Sequence, residues 1–126
     1  RVIVGRNVLT GSGGINASVN GQTLVGADGV DTLDDTALTG TAMFGMGGND
    51  SFVISNGNFD LINGGAGNDT INLSASVDLR SFTSRDISGI EVISITGTNT
   101  LTLSKENIMK LLESSDGSTL QINGTA

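Results

Sequence analysis

The sequence predicts one domain of mainly β structure in which a short unit is repeated along the chain. Three nine-residue segments align in register: residues 26–34 (GADGVDTLD), 45–53 (GMGGNDSFV) and 64–72 (GGAGNDTIN). Each segment has glycine at its first and fourth positions, aspartate at its sixth and an apolar residue at its eighth. Self-similarity at a fixed period is the sequence signature of repeat architectures.

The spacing of the repeat is regular. The sixth-position aspartates follow one another at a step of 19 residues, and so do the apolar eighth positions. These residues are Asp31, Asp50 and Asp69, and Leu33, Phe52 and Ile71. Glycine, asparagine and aspartate also cluster in ordinary turns, which is the alternative interpretation of any single segment. Ordinary turns, however, need neither a fixed aspartate nor a fixed hydrophobic residue after it.

Composition narrows the class of protein. A chain of 126 residues fits one modest domain, and its net charge of −7 argues against binding to nucleic-acid phosphates. Because the chain has no cysteine and no histidine, disulfides, a thiol nucleophile, a Ser-His-Asp triad and an HExxH zinc site are excluded. No apolar run approaches the ~20 residues that span a bilayer. We therefore expect neither an enzyme nor a protein inserted in the membrane.

The third segment resembles a known calcium-binding repeat. Residues 64–72 match at every position the nonapeptide G-G-x-G-x-D-x-U-x, with U aliphatic, of the RTX (repeats-in-toxin) family. The second glycine is replaced by Met46 in the second segment and by Ala27 in the first. The resemblance covers residues 26–78. It implies a calcium-binding parallel β-roll, in which turns alternate with very short strands and units one coil apart stack on the same edge.

Calcium is the cofactor that this resemblance implies. Ca²⁺ takes 6–8 oxygen ligands, including backbone carbonyls, and glycine adopts at little cost the backbone angles that aim successive carbonyls inward. By resemblance, the three loops hold two ions, each between stacked neighbours, and Asp50 serves both. The implied ligand residues are Gly26, Asp28, Gly29, Asp31, Gly45, Met46, Gly47, Gly48, Asp50, Gly64, Gly65, Ala66, Gly67 and Asp69.

A third ion at the opposite edge is a weaker alternative, with Asp60 as its ligand. That edge comprises residues 35–41, 55–60 and 74–78, and it lacks the full glycine pattern. An EF-hand is not supported, because residues 28–35 (DGVDTLDD) lack the required order of residues and the distal glutamate. Arg80 stands where the next apolar residue is expected, so the roll is predicted to end near Asp78.

Two flanking segments complete the predicted domain. Residues 1–24 are expected to form a strand and a turn that cap a roll of residues 25–80. Within the cap, residues 11–19 (GSGGINASV) imitate the repeat out of phase, with Asn16 in the place of the aspartate. Residues 81–126 are expected to cap the other end. Open strand edges invite aggregation, and such caps would cover them.

The C-terminal segment is expected to contain strands and one short helix. Alternating apolar residues predict strands within residues 87–96, 99–104 and 118–124. Ser104 can cap a helix of about residues 105–113, whose apolar side chains fall on one face. Asp86 and Glu91 are single acids, and we expect them to be solvated charges.

The resemblance also implies a function. It suggests a calcium-dependent structural module of a large adhesin, secreted or on the bacterial cell surface, that folds in extracellular calcium after type I secretion. Its partners would be calcium, neighbouring domains of the same long chain and the type I secretion machinery. One alternative is the C-terminal secretion and folding domain of an RTX exoenzyme or toxin. Another is a module that binds a ligand through an exposed calcium ion.

Overall fold

The computed structural model describes residues 8–80, 87–105 and 121–124, which form a parallel β-solenoid of about four turns. Thirteen strands of two to four residues lie in these ranges. They are β1 (Val8–Thr10), β2 (Gly14–Asn16), β3 (Thr23–Val25), β4 (Thr32–Asp34), β5 (Ala42–Phe44), β6 (Ser51–Ile54), β7 (Leu61–Asn63), β8 (Thr70–Leu73), β9 (Val77–Asp78), β10 (Ile87–Ser88), β11 (Val92–Ile95), β12 (Leu101–Thr102) and β13 (Gln121–Gly124). Strands this short are not stable alone, so each depends on its neighbours in adjacent turns.

Most of these strands alternate between two parallel sheets. The first sheet has the order β1-β3-β5-β7-β10, and the second has the order β13-β11-β8-β6-β4-β2. A third, two-stranded parallel sheet contains β9 and β12. Each turn of the solenoid therefore adds one strand to each main sheet. The mainly β fold that the repeat predicts is confirmed.

The core is an apolar column inside the solenoid. Because successive strand residues point to opposite faces of a sheet, the central residue of each three-residue strand points inward and its neighbours point outward. The buried inward residues are Leu24, Met43, Ile62 and Ile87 in the first sheet, and Ile15, Leu33, Phe52, Ile71 and Ile93 in the second. The eighth-position residues of the repeat are all fully buried, as the sequence predicts.

The N-terminal segment continues both sheets. Strands β1 and β2 pair in parallel with β3 and β4, and Ile15 is in register with Leu33. The alignment expected for residues 11–19 is therefore wrong by three positions. Gly13, and not Asn16, lies in the place of the aspartate, because the turn between β1 and β2 is shorter than the turns of the repeat.

The sheets also continue beyond Asp78, where we expected the roll to end. Ile87 pairs with Ile62, 25 residues earlier, and Ile93 pairs with Ile71, 22 residues earlier. Thirteen residues, 74–86, separate β8 from β10, whereas six residues, 55–60, separate β6 from β7. The inward positions are therefore kept although the step of 19 is lost.

Three further predictions concern the C-terminal segment: one is wrong, one is confirmed, and one falls almost wholly outside the described residues. Residues 87–96 do not form one strand, because a turn at Gly89 separates β10 from β11. Strands β12 and β13 lie where strands are expected. Of the helix expected at about residues 105–113, all but Lys105 lies outside the described residues. No helix in the described part of the chain is long and apolar enough to cross a membrane.

Candidate metal centre

Three six-residue turns on one edge of the solenoid carry the residues predicted to bind calcium. They span residues 26–31, 45–50 and 64–69, and each joins a strand of the first sheet to a strand of the second. β-Bridges link Asp28 to Gly47 and Gly47 to Ala66. The turns are therefore stacked on one another, and the predicted stacking of the three loops on one edge is confirmed.

Hydrogen bonds through carboxylates connect these turns. Oδ1 of Asp50 accepts the backbone N–H of Asp31, and Oδ1 of Asp69 accepts that of Asp50, each at 2.8 Å. At the N-terminal end, Oδ1 of Asp31 accepts the N–H of Gly13 at 2.6 Å. At the C-terminal end, Oε2 of Glu91 accepts the N–H of Asp69 at 2.8 Å. We call Asp31, Asp50, Asp69 and Glu91 the carboxylate ladder, since each holds the main chain of the preceding coil.

The prediction that Glu91 is a solvated charge is wrong. Its residue is only 8% exposed, and its carboxylate lies in the ladder. One signal in the sequence could have found it: Ile93 follows Glu91 at the spacing that separates Asp69 from Ile71. Of the two glycines of the motif, only the fourth-position one, Gly89, precedes Glu91, and Asp86 stands in the first position, so a search for the full repeat passes over it. Asp86 lies outside the described residues.

The first glycine of each turn lies where a side chain has no room. A Cβ atom on Gly45 would overlap Oδ2 of Asp50 and would lie 2.6 Å from the carbonyl oxygen of Gly64. A Cβ atom on Gly26 would lie 2.6 Å from Oδ2 of Asp31 and 2.8 Å from the carbonyl oxygen of Gly45. In both cases the first glycine borders a narrow gap. A carboxylate oxygen of the same turn and a carbonyl oxygen of the next turn both face this gap.

Asp50 has an oxygen atom that the described residues leave unsatisfied. The residue is 1% exposed, and its Oδ2 atom has no hydrogen-bond partner in the described ranges. Burial raises the pKa of the Asp50 carboxyl above its usual value; the N–H of Asp31 opposes this rise, and the negative charge of Asp31 adds to it. Buried charges in proteins are normally paired or bound to a metal ion. The Asp50 carboxylate is therefore suited to a cation.

Asp31 differs from Asp50 in this respect. The backbone N–H of Ala27 donates to Oδ2 of Asp31 at 2.8 Å, so both oxygens of Asp31 already accept an N–H. In the second turn the corresponding residue is Met46, which has a left-handed φ of 81°. The gap between the second and third turns therefore contains a carboxylate oxygen, Oδ2 of Asp50, that is available to a cation. In the gap between the first and second turns, the corresponding oxygen of Asp31 already accepts a hydrogen bond.

Some loop carbonyls in the predicted ligand set already take part in bonds between coils. The Met46 carbonyl accepts the N–H of Ala66, and the Gly47 carbonyl accepts the N–H of Gly29, each at 2.9 Å. A carbonyl oxygen has two lone pairs, so these bonds still leave one lone pair for an ion. At the fourth position of the turns, a Cβ atom on Gly48 would overlap the carbonyl oxygen of Gly29. Glycine there permits the close approach of the coils.

The chain matches no family model, no curated protein and no solved structure. Within the described ranges, no group of three or more His, Cys, Asp or Glu side chains is placed to hold a metal ion. The implied sites use two carboxylates each, so backbone carbonyls must complete them.

The residues present fit a calcium ion between the second and third turns. Oδ2 of Asp50 and the carbonyl oxygen of Gly64 would hold it, together with the carboxylate of Asp69, whose Oδ1 atom accepts the Asp50 amide. These are hard oxygen donors, which Ca²⁺ prefers. A bound ion would neutralise stacked carboxylates that otherwise repel one another.

Two acidic residues lie away from this centre. Asp60, the weaker candidate, is exposed at the opposite edge. Asp28, also exposed, lines a surface groove of about 320 Å³ with Met46 and Ala66, outside the ladder.

Asp35 is a buried carboxyl at a position that no sequence motif marks. It is 2% exposed at the opposite edge, and the hydroxyl of Thr41, which is fully buried, donates to its Oδ2 atom. Burial raises the pKa of Asp35; the bond from Thr41 opposes the rise, and the charge of Asp34 adds to it. An acid after a strand usually indicates an exposed turn, so the sequence carries no signal for this burial.

Proposed function

We propose that this chain is a calcium-dependent structural module of a large RTX protein, an adhesin that is secreted or displayed on the bacterial cell surface. Calcium binds between the stacked turns and holds the solenoid together. The observation that carries the proposal is the buried Asp50 carboxylate, whose Oδ2 atom has no partner among the described residues and lies in the same narrow gap as the carbonyl oxygen of Gly64. The complete RTX nonapeptide at residues 64–72 supports the choice of calcium.

The physical role of the ion follows from the charge of the ladder. Its rungs lie in adjacent coils, and neighbouring strands are about 4.8 Å apart. Like charges at that distance oppose folding, and the very short strands bury limited apolar surface against the entropy of the chain. Where calcium is scarce, the chain stays loose enough for export by a type I system. Outside the cell, sites of the weak extracellular class, with Kd of about 10⁻⁴–10⁻³ M, fill and fold it.

Calcium titration of the 126-residue protein tests the proposal. We expect β-sheet circular dichroism and the thermal midpoint to rise together as calcium is added, and to fall again with a chelator. Isothermal titration calorimetry should report about two ions. Magnesium is the matched control, since it is smaller and demands near-ideal octahedral geometry. Identical melting curves in calcium, magnesium and chelator would contradict the proposal.

A further inference from the structure

Glu91 repeats, outside the glycine motif, what the aspartates do inside it. Its Oε2 atom accepts the N–H of Asp69, as Asp69 accepts the N–H of Asp50. We propose that Glu91 is a positioning residue for the calcium site between the second and third turns. This inference rests on the proposed function. Glu91 lies beyond the repeat, yet it would contribute to the calcium affinity of the site between the second and third turns.

The fourth coil is built as an anchor for Asp69. The backbone N–H groups of Glu91 and Val92 both donate to the carbonyl of Asp69, at 3.1 and 3.0 Å. On the other side, the N–H of Gln121 donates to the carbonyl of Glu91 at 2.8 Å. The main chain of Glu91 is thus held by a coil on each side. Its side chain therefore holds the amide of Asp69 from a main chain that is itself hydrogen-bonded on both sides.

The fourth coil also lacks the long turn that the site needs. Between β10 and β11 there are only residues 89–91, whereas residues 64–69 separate β7 from β8. The carbonyl of Gly89 lies against Gly64, where a Cβ atom would overlap it. Glu91 therefore closes the stack of turns and orients its last member, and the extra methylene of glutamate lengthens its reach across the shortened turn.

The consequence for binding follows from the ladder. The position of the Asp69 carboxylate depends on the Asp69 main chain, which Glu91 holds. Hydrogen-bond partners that orient metal ligands typically change affinity by about 10–100-fold when they are removed. The first gap, between Asp31 and Asp50, lies one coil further away. Loss of Glu91 should therefore weaken one of the two binding steps and leave the other unchanged.

Calorimetric calcium titration of Glu91→Ala and Glu91→Gln, beside the wild type, tests this inference. We expect Glu91→Ala to weaken one binding step by about tenfold or more. Glu91→Gln keeps an acceptor oxygen for the Asp69 amide and should stay within about threefold of the wild type. Asp78→Asn is the matched control for charge, because Asp78 is exposed and paired with Arg80 at the opposite edge. It should bind as the wild type does.

Amide hydrogen exchange supplies a second measurement that does not depend on binding. The Asp69 amide should exchange faster in Glu91→Ala and keep its protection in Glu91→Gln, while the Asp31 amide is unchanged in both. Wild-type affinities in Glu91→Ala would overturn the inference. So would an equal loss in both variants with one ion fewer bound, which would make Glu91 itself a ligand. Absence of binding to the wild type would instead refute the proposed function, and this inference with it.

Discussion

Oδ1 of Asp50 accepts the backbone N–H of Asp31 at 2.8 Å, across one complete coil of the solenoid. The same side chain keeps its other oxygen buried and without a partner in the described ranges. One carboxylate thus serves two purposes: it fixes the register of the preceding turn, and it presents a charge to the gap beside the next. These two purposes can be separated by mutation.

Asp50→Asn should separate them. Asparagine keeps an acceptor for the Asp31 amide and removes the buried charge. Without calcium, we expect the variant to be more stable than the wild type by about 1 kcal/mol, or about 4 °C in Tm. In saturating calcium the order should reverse, because both predicted sites lose a charged ligand. Thermal unfolding in chelator and in 10 mM calcium (about 10–100 times the Kd of the weak extracellular class) measures this.

Asp60→Asn is the control for that experiment, since Asp60 is exposed at the opposite edge. It should change the melting temperature little under either condition. A wild type that is more stable than Asp50→Asn in chelator as well would show that the charge of Asp50 is satisfied without an ion.

Asp35→Asn tests the buried carboxyl at the opposite edge. The pKa of Asp35 is raised by burial, so in the folded protein the ionised form is disfavoured. The destabilisation is present above the folded-state pKa and disappears as the pH falls through that value. We expect Asp35→Asn to gain about 1 kcal/mol at pH 7, with or without calcium. The gain should vanish toward pH 3.

Chemical denaturation at pH 7, 5 and 3 follows this change. Asparagine can still accept the hydrogen bond from Thr41, so that contact is not lost. Thr41→Val is the companion variant: it removes the hydroxyl and should destabilise the protein at pH 7. A gain for Asp35→Asn that is constant over this pH range would contradict ionisation of Asp35 as its cause.

Gly45→Ala should damage the metal centre directly. Its methyl group would overlap Oδ2 of Asp50 and crowd the carbonyl oxygen of Gly64. We expect a loss of about 1–3 kcal/mol, typical of overpacking, and at least tenfold weaker calcium binding. Gly14→Ala is the matched control, because a Cβ atom on Gly14 meets nothing within 4 Å. Equal stability of the two variants would mean that the gap is wider than the structure indicates.

Met46→Gly should stabilise the second turn. Met46 has a φ of 81° and is 51% exposed. A left-handed conformation costs a residue with a Cβ atom about 1–2 kcal/mol, and glycine removes that cost but loses up to about 1 kcal/mol of entropy on folding. The net gain should be about 0.5–1 kcal/mol by denaturant unfolding. Destabilisation would show that the Met46 side chain contributes to packing despite its exposure.

The fold could be predicted from the sequence where the repeat is intact. The step of 19 residues places Asp31, Asp50 and Asp69 in one line, and the inward position of Phe52 follows from its place two residues after Asp50. Both are local properties, since each coil repeats the geometry of the last. Stacking then requires no information from distant parts of the chain.

The continuation of both sheets at the two ends of the solenoid could not be predicted from the sequence and became evident only in the tertiary structure. At both ends the turn shortens, and more residues separate β8 from β10 than separate β6 from β7, so the step changes while the sheets continue. A pattern search depends on constant spacing, whereas strand pairing needs only that each inward residue meets its neighbour. Ile15 and Ile93 satisfy the second condition without the first.

Sequence alone thus determined the chemistry of the edge: glycines that allow close approach, and an aspartate at a fixed place in each turn. Only the tertiary structure decided which carboxylates are buried and what they hold. It placed Glu91 in the ladder and Asp35 beside Thr41. Burial depends on the coils above and below a residue, and those coils are distant in the chain. Hence a sequence motif can identify a candidate ligand residue, but the stacking of the coils determines the burial and the hydrogen bonds of that residue.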